Sequence, residues 1–206
     1  YSDFADVTDP ENYAKNSQLL MGQTAKGGGD YPEALDEALE MATGKQWIDC
    51  GTKIIFHLYD APAHTTNSNK IRFKNSVISA AENGIRICPV LASGANDLCE
   101  YLARQSAICT GGTFVWITND SGIGGDHYDP EVKNAVVEKL NDLLVRLING
   151  YKTGVFADPV PYNGKKPDEK TSDSAESIDE AESAGETESN REQKSDEETH
   201  SDETSD

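Results

Sequence analysis

Apolar residues in the first 160 positions alternate between strand-like runs and helix-like stripes. Mostly apolar runs, which are typical of strands in a parallel sheet, predict three strands, at residues 53–59, 85–91 and 113–117. The first run is apolar enough to predict burial on both faces. Apolar residues spaced three and four apart predict helices between and before these strands. The helices are expected at Pro10–Thr24, Pro32–Met41, Lys70–Asn83 and Ala95–Cys109.

A longer amphipathic pattern follows the third strand. Asp129-Pro130-Glu131 is typical of a helix start and predicts a helix to about Ile148. Its apolar stripe consists of Val132, Val136, Leu140, Leu143, Leu144 and Leu147. Residues 151–163 contain two prolines and are interpreted as a linker.

Strands alternating with helices indicate right-handed crossovers and an α/β fold. We expect a Rossmann-like, three-layer α/β/α arrangement over residues 1–150, with a mostly parallel sheet. Three strands make a thin sheet, with the strand at 54–58 on an uncovered edge. Because natural domains rarely leave such an edge bare, we expect opening strands to be missing from this chain. The first residue, Tyr1, agrees with a processed chain or a fragment.

Charge is distributed unevenly along the chain. The formal net charge is −19, and residues 164–206 hold 16 acidic and 5 basic residues with hardly any apolar ones. Such a segment buries too little apolar surface to offset its chain entropy, so we predict a disordered acidic tail. It is interpreted as a solvated spacer, and the alternative is a tail that is phosphorylated or binds cations. Strong acidity argues against nucleic acid as a partner, and no apolar run is long enough to span a membrane.

Three acidic residues stand where an open α/β sheet binds ligands, beyond the carboxyl ends of its strands. Asp30 and Glu33 lie three apart at a predicted helix start, and Asp60 follows the first strand. Converging carboxylates suit a hard cation such as Mg²⁺, with Mn²⁺ or Ca²⁺ as alternatives. Helix capping for Asp30 and Glu33, and turn formation for Asp60, are the plainer interpretations.

Nearby histidines give further candidates. His64 lies four residues after Asp60, where it could orient a ligand or a water. Asp126 and His127 follow the third predicted strand, at the same sheet edge, and could shape the choice of partner. His57 lies within a strand and is interpreted as a core residue. The four cysteines form no C-x-x-C pair, so a zinc ribbon is not expected.

Residues from Gly27 to about Gly150 resemble the later two-thirds of a von Willebrand factor type A domain, of the kind found in bacteria and protists. The matching segments are GGGDYPEALDEAL (27–39), IIFHLYDAPAH (54–64), GIRICPVLASG (84–94) and EYLARQSAICTGGTFVWITNDSGIG (100–124). The resemblance implies a metal-ion-dependent adhesion site, at which an acidic residue of a protein ligand completes the coordination of a divalent cation.

Only part of that site has a match here. Asp60 corresponds to the aspartate of the family's third metal loop, and Asp30 falls where many members have a threonine. Glu33 corresponds to a glutamate in the related loops of integrin β-subunits. The first loop, D-x-S-x-S, has no counterpart, so the resemblance implies weak metal binding by this chain.

The expected function is therefore a metal-dependent protein-binding module of the adhesion type, without catalytic activity of its own. One alternative is a regulatory A domain within an enzyme, such as an alpha-type kinase. Another is a metal-assisted hydrolase that uses Asp30, Glu33, Asp60 and His64. A nucleotide-binding loop at Gly27–Gly29 is a third, although both G-x-G-x-x-G and G-K-[ST] are lacking. The resemblance and the acidic tail favour a secreted or cell-surface location.

Overall fold

Helices and strands alternate in this computed structural model, which describes residues 4–24, 29–118, 132 and 135–162. Five α-helices and three β-strands occur among these residues. In chain order they are α1 (Pro10–Met21), α2 (Leu35–Thr43), β1 (Lys53–Tyr59), α3 (Asn67–Glu82), β2 (Ile85–Leu91), α4 (Asp97–Thr110), β3 (Val115–Trp116) and α5 (Leu140–Thr153).

The three strands form a parallel sheet in the order β1-β2-β3. Lys53 pairs with Ile85 at one end of β1 and Tyr59 with Leu91 at the other, and β3 joins β2 only near its carboxyl end. The mixed α/β class and the position of β1 at the sheet edge are confirmed. Because the strands are parallel, the loops that follow β1 and β2 leave from the same edge of the sheet.

The larger apolar core lies on one face of the sheet. Alternate residues of β1 and β2 point to this face, and helices α2, α3 and α4 cover it. Its buried members are Leu35, Leu39, Ile55, Tyr59, Ala63, Phe73, Val77, Ala80, Ile85, Ile87, Leu91, Cys99 and Ala103. Packing of these side chains fixes the three helices relative to the carboxyl ends of the strands.

The opposite face carries a smaller core, where Val90 of β2 and Val115 of β3 pack against Leu147 of α5. The prediction that residues 53–59 are buried on both faces is wrong. Leu58 is 56% exposed, and Ile54 and Phe56 are only partly buried. The reason is that the α5 cluster centres on β2 and β3, so this face of the edge strand receives little cover.

Helix α2 begins at Leu35 rather than at Pro32. Glu33 forms an isolated parallel bridge with Ala63, and its N–H donates to the carbonyl of Pro62 at 2.8 Å. This pairing keeps Glu33 extended, so the helical turn starts only afterwards. In contrast, α3 begins three residues earlier than predicted, because the side chain of Thr66 accepts a hydrogen bond from the N–H of Asn69.

The predicted helix from Asp129 to Ile148 is wrong at its start. Val132 and Val136 are not helical, and α5 begins at Leu140. Residues 135–139 instead contact the segment at 155–162, which has no regular secondary structure, and the N–H of Tyr162 donates to the carbonyl of Val137 at 2.7 Å. The helix also runs on to Thr153, three residues into the predicted linker.

Helix α1 follows the predicted position but packs loosely. Asp9 caps its first turn, and no residue of α1 is buried. The segment before it meets the rest of the protein through Phe4, whose ring lies 4.7 Å from the ring of Trp47. Within the described residues, no helix is long and apolar enough to cross a membrane.

Several predictions concern residues that the structure does not describe. The acidic tail at 164–206 and the candidate residues Asp126 and His127 lie outside the described ranges. They therefore stay predictions, as does the boundary of the folded part at residue 150.

Candidate functional site

Three loops meet at the carboxyl edge of the sheet. The first, residues 29–34, enters α2; the second, residues 60–66, links β1 to α3; the third, residues 92–96, links β2 to α4. The bridge between Glu33 and Ala63 joins the first loop to the second. The edge therefore assembles the loops that carry Asp30, Glu33, Asp60 and His64.

Gly94 brings the third loop against the other two. Its φ is 95°, a left-handed conformation that favours glycine, and a Cβ there would lie 3.0 Å from the carbonyl oxygen of Asp60. The hydroxyl of Tyr31 donates to the carbonyl of Gly94 at 2.5 Å. Tyr31 thus ties the first loop to the third, while the absence of a side chain at Gly94 lets the third loop approach the second.

The side chains of Asp30 and His64 lie near each other at this edge. Nε2 of His64 lies 3.8 Å from Oδ2 of Asp30, and their side chains are 38% and 64% exposed. Because both groups face solvent, their attraction is screened and contributes little to stability. The pair could instead orient the imidazole toward a ligand at the edge of the sheet.

The side chain of Asp60 is exposed, and its charge affects the pKa of neighbouring groups. The pKa of Tyr31 is raised above its ordinary value, first by desolvation and then by its electrostatic interactions with Cys99 and Asp60. The Asp60 carboxylate therefore lies within electrostatic reach of both the Tyr31 hydroxyl and the start of α4. A cation near Asp60 would lower the pKa of the tyrosine, which makes Tyr31 a natural reporter of the site.

The candidate carboxylates are brought to one edge without forming a preassembled metal site. Within residues 4–24, 29–118, 132 and 135–162, no group of three or more His, Cys, Asp or Glu side chains is placed so that it could hold a metal ion. Asp30 faces His64, and Glu33 is held through its backbone. A divalent cation bound by Asp30, Glu33 and Asp60 would therefore have to draw side chains of two loops together.

Other polar candidates belong to the core. His57 is buried, as expected, and burial lowers its pKa to about 4, while a hydrogen bond with the backbone of Leu35 acts in the opposite direction. Cys88 and Cys99 are buried free thiols, and burial raises the pKa of each. These groups are neutral near pH 7 and do not contribute charge to the candidate site.

Tyr31 and Gly94 were not predicted as site residues. Tyr31 lies between two candidate positions, but no periodicity or motif distinguishes a tyrosine that fixes a loop from one that faces solvent. Gly94 follows Ser93 at the end of a predicted strand, a pattern that indicates only a turn. Their roles depend on a contact between residues 63 positions apart in the sequence.

Comparison with known proteins adds no family assignment. A scan against models of protein families found no match, and neither did a search of curated proteins. The resemblance to von Willebrand factor type A domains therefore depends on the matching sequence segments alone and supports only a proposal.

Proposed function

We propose that this protein is a binding module of the von Willebrand factor A type, which holds an acidic residue of a partner protein through a divalent cation. The cation, Mg²⁺ or a related ion, would be bound by Asp30, Glu33 and Asp60, with His64 beside them. Asp126 and His127 would contribute to the partner-facing surface. The proposal includes the three-layer α/β/α arrangement of that family.

The observation that supports the proposal best is the convergence of three loops at the carboxyl edge of a parallel sheet. The Glu33–Ala63 bridge places the loop that carries Asp30 and Glu33 directly beside the loop that carries Asp60. Carboxylate oxygens are the ligands that Mg²⁺ and Mn²⁺ prefer. Because the side chains must still be drawn together, we expect weak binding that strengthens when the carboxylate of a partner joins the coordination.

Titration with Mn²⁺ followed by NMR tests the cation site. A paramagnetic ion bound at the proposed position should broaden the resonances of Tyr31 and His64 before those of residues elsewhere. Asp60→Ala should remove this selective broadening. Asp49→Ala is the matched control, because Asp49 is an exposed acid that precedes β1 at the opposite edge of the sheet. Broadening that persists in Asp60→Ala, or that centres on another region, would count against the proposal.

Adhesion itself is tested by capture of an immobilised peptide that carries a single Glu in an otherwise neutral sequence. We expect more protein to be retained in Mn²⁺ than in EDTA, and no such difference with the Gln version of the peptide. Equal retention under all conditions would refute a metal-bridged contact, even if the cation site itself is real.

A metal-assisted hydrolase is the second candidate, favoured specifically by the contact between His64 and Asp30. A carboxylate that orients an imidazole could prepare it to accept a proton from a metal-bound water. This candidate predicts hydrolysis of a chromogenic phosphate ester in Mn²⁺ that is lost in His64→Gln. A rate of ester hydrolysis no higher than that with Mn²⁺ alone would refute this candidate.

A further inference from the structure

A groove runs between α3 and α4 on the side of these helices that faces away from the sheet. It has a volume of about 530 Å³. Phe73, Val77 and Leu102 contribute apolar surface to it. One end reaches Ala63 and His64 in the loop after β1, and the other reaches Glu82 and Cys109 at the ends of the two helices.

The shape of the groove is elongated. Its lining on α3 extends from Asn69 to Glu82, and on α4 from Leu98 to Cys109. At about 1.5 Å per residue, the α3 wall is roughly 20 Å long. That length matches three to four turns of an α-helix and exceeds what a compact small molecule would fill.

Large apolar side chains are exposed on both walls of the groove. Ile78 is 46% exposed and Tyr101 is 59% exposed, and both line the groove beside the buried Phe73 and Val77. Contiguous exposed apolar surface with a polar rim is typical of a site for a protein partner. Apolar side chains spaced along one face of a helix would fit between these walls.

Charge indicates which kind of helix the groove accepts. Lys70 and Lys74 line the α3 wall one turn apart, and neither ammonium group has an ion pair or hydrogen bond with the described residues. Glu82 is the only acidic residue that lines the groove in this part of the chain. Two unpaired lysines at the groove, in a protein with a net charge of −19, complement a partner with negative charge.

From this combination we infer that the α3–α4 groove binds an amphipathic helix of a partner protein whose polar flank is acidic. The apolar stripe of that helix would lie along Phe73, Val77, Ile78 and Tyr101, and its carboxylates would pair with Lys70 and Lys74. A second copy of this chain is the alternative occupant, which a measurement of self-association distinguishes below. The inference does not depend on the proposed cation site, and binding should survive EDTA.

The test uses fluorescence anisotropy with synthetic 15-residue helical peptides and the full chain. One peptide carries a Leu stripe flanked by Glu, the second has Lys in place of every Glu, and the third scrambles the first so that the stripe is lost. We expect the acidic amphipathic peptide to bind at least tenfold more tightly than either of the others. Binding should also weaken as NaCl is raised.

Charge reversal at the groove provides the matched comparison. Lys70→Glu with Lys74→Glu should weaken binding of the acidic peptide at least tenfold, and Ile78→Asp should do the same. The control, Lys15→Glu with Lys152→Glu, changes the net charge by the same amount but on α1 and α5. It should keep most of the affinity for the acidic peptide. All these residues are exposed, and circular dichroism would verify that each variant is folded.

Three results would overturn the inference. The first is an acidic peptide that binds no better than its basic or scrambled version. The second is an equal loss of affinity in the groove variants and in the Lys15/Lys152 control. The third is self-association of the protein, measured by light scattering, that Ile78→Asp abolishes, because that result would assign the groove to a second copy. Loss of cation binding in Asp60→Ala with unchanged peptide affinity would separate this site from the proposed adhesion site.

Discussion

The guanidinium group of Arg72 on α3 lies 3.0 Å from a carboxylate oxygen of Asp36, the second residue of α2. Asp36 is fully buried, and the same oxygen also accepts a hydrogen bond from the side chain of Asn69. Its other oxygen has no hydrogen-bond partner within the described residues. A buried carboxylate is costly to keep charged unless a cation lies beside it, so Arg72 determines whether α2 can pack against α3.

Arg72→Met should therefore destabilise the protein strongly. The methionine keeps most of the length of the side chain but leaves the Asp36 carboxylate without its cation. We expect the melting temperature, measured by circular dichroism, to fall on the order of 10 °C. Lys74→Met is the matched control on the same helix, since Lys74 is exposed and makes no ion pair with the described residues; a similar fall there would contradict the assignment.

Burial of His57 predicts a dependence of stability on pH. The pKa of His57 falls from 6.5 to about 4 in the folded protein, chiefly because the charged form is desolvated. Between these values the unfolded chain binds more protons, so stability is complete above about pH 6.5 and is lost as the pH falls toward 4. The loss between pH 7 and pH 5 from this group should be about 2 kcal/mol.

Urea unfolding of the native protein and of His57→Gln at both pH values measures this contribution. We expect the difference in unfolding free energy between pH 7 and pH 5 to shrink by about 2 kcal/mol in His57→Gln. His64→Gln is the control, because it removes a partly exposed imidazole and leaves His57 in place. A difference that is unaltered in His57→Gln would show that His57 does not titrate as described.

The sequence predicted the sheet more closely than it predicted the helices. The bounds of β1 and β2 are the predicted ones, because each strand is a mostly apolar run, β1 followed by Asp60 and β2 preceded by Gly84. Helix ends depended on contacts that no local pattern contains. The start of α2 is set by Glu33 pairing with Ala63, and the start of α5 by the segment at 155–162.

The sequence predicted the edge of the sheet at which the candidate site lies, but not the side-chain contacts within the site. Parallel strands bring the loops after β1 and β2 to one edge of the sheet, but the loop that carries Asp30 follows no strand among the described residues. Its position beside the loop that carries Asp60 depends on the bridge between Glu33 and Ala63. The contact between His64 and Asp30 and the bond from Tyr31 to Gly94 depend on side-chain directions and loop conformations. Those are set by packing, which spacing in the sequence does not reveal.

The uneven burial of β1 gives a stability test. Ile55 points into the larger core and is 9% exposed, whereas Leu58 points to the other face and is 56% exposed. Ile55→Ala should cost about 2–5 kcal/mol, because it removes buried methyl groups and leaves a cavity. Leu58→Thr should stay within about 0.5 kcal/mol of the native protein in urea unfolding, as exposed substitutions usually do. A large loss at Leu58 would mean that this face is covered in solution.

The last prediction concerns the start of α5. Nε of Arg146 donates to the Glu138 carboxylate at 3.0 and 3.1 Å, and the N–H of Val160 donates to it at 3.1 Å. The side chain of Glu138 is only 2% exposed, and its pKa is lowered, first by the hydrogen bonds from Arg146. Glu138 therefore joins α5 to the segment at 155–162, in place of the longer helix predicted from the sequence.

Glu138→Gln keeps the shape of the side chain but removes its charge, and should cost about 2 kcal/mol of unfolding free energy at pH 7. A lowered pKa means that the contribution of Glu138 is complete above the unfolded value, near 4.5, and is lost as the pH falls through the folded value. The difference between native protein and variant should therefore diminish in acid. Asp142→Asn, at an exposed acid in the first turn of α5, is the control and should show a much smaller difference at pH 7. If the cost of Glu138→Gln were the same at pH 7 and pH 3, the charge of Glu138 would not be what holds the segment in place.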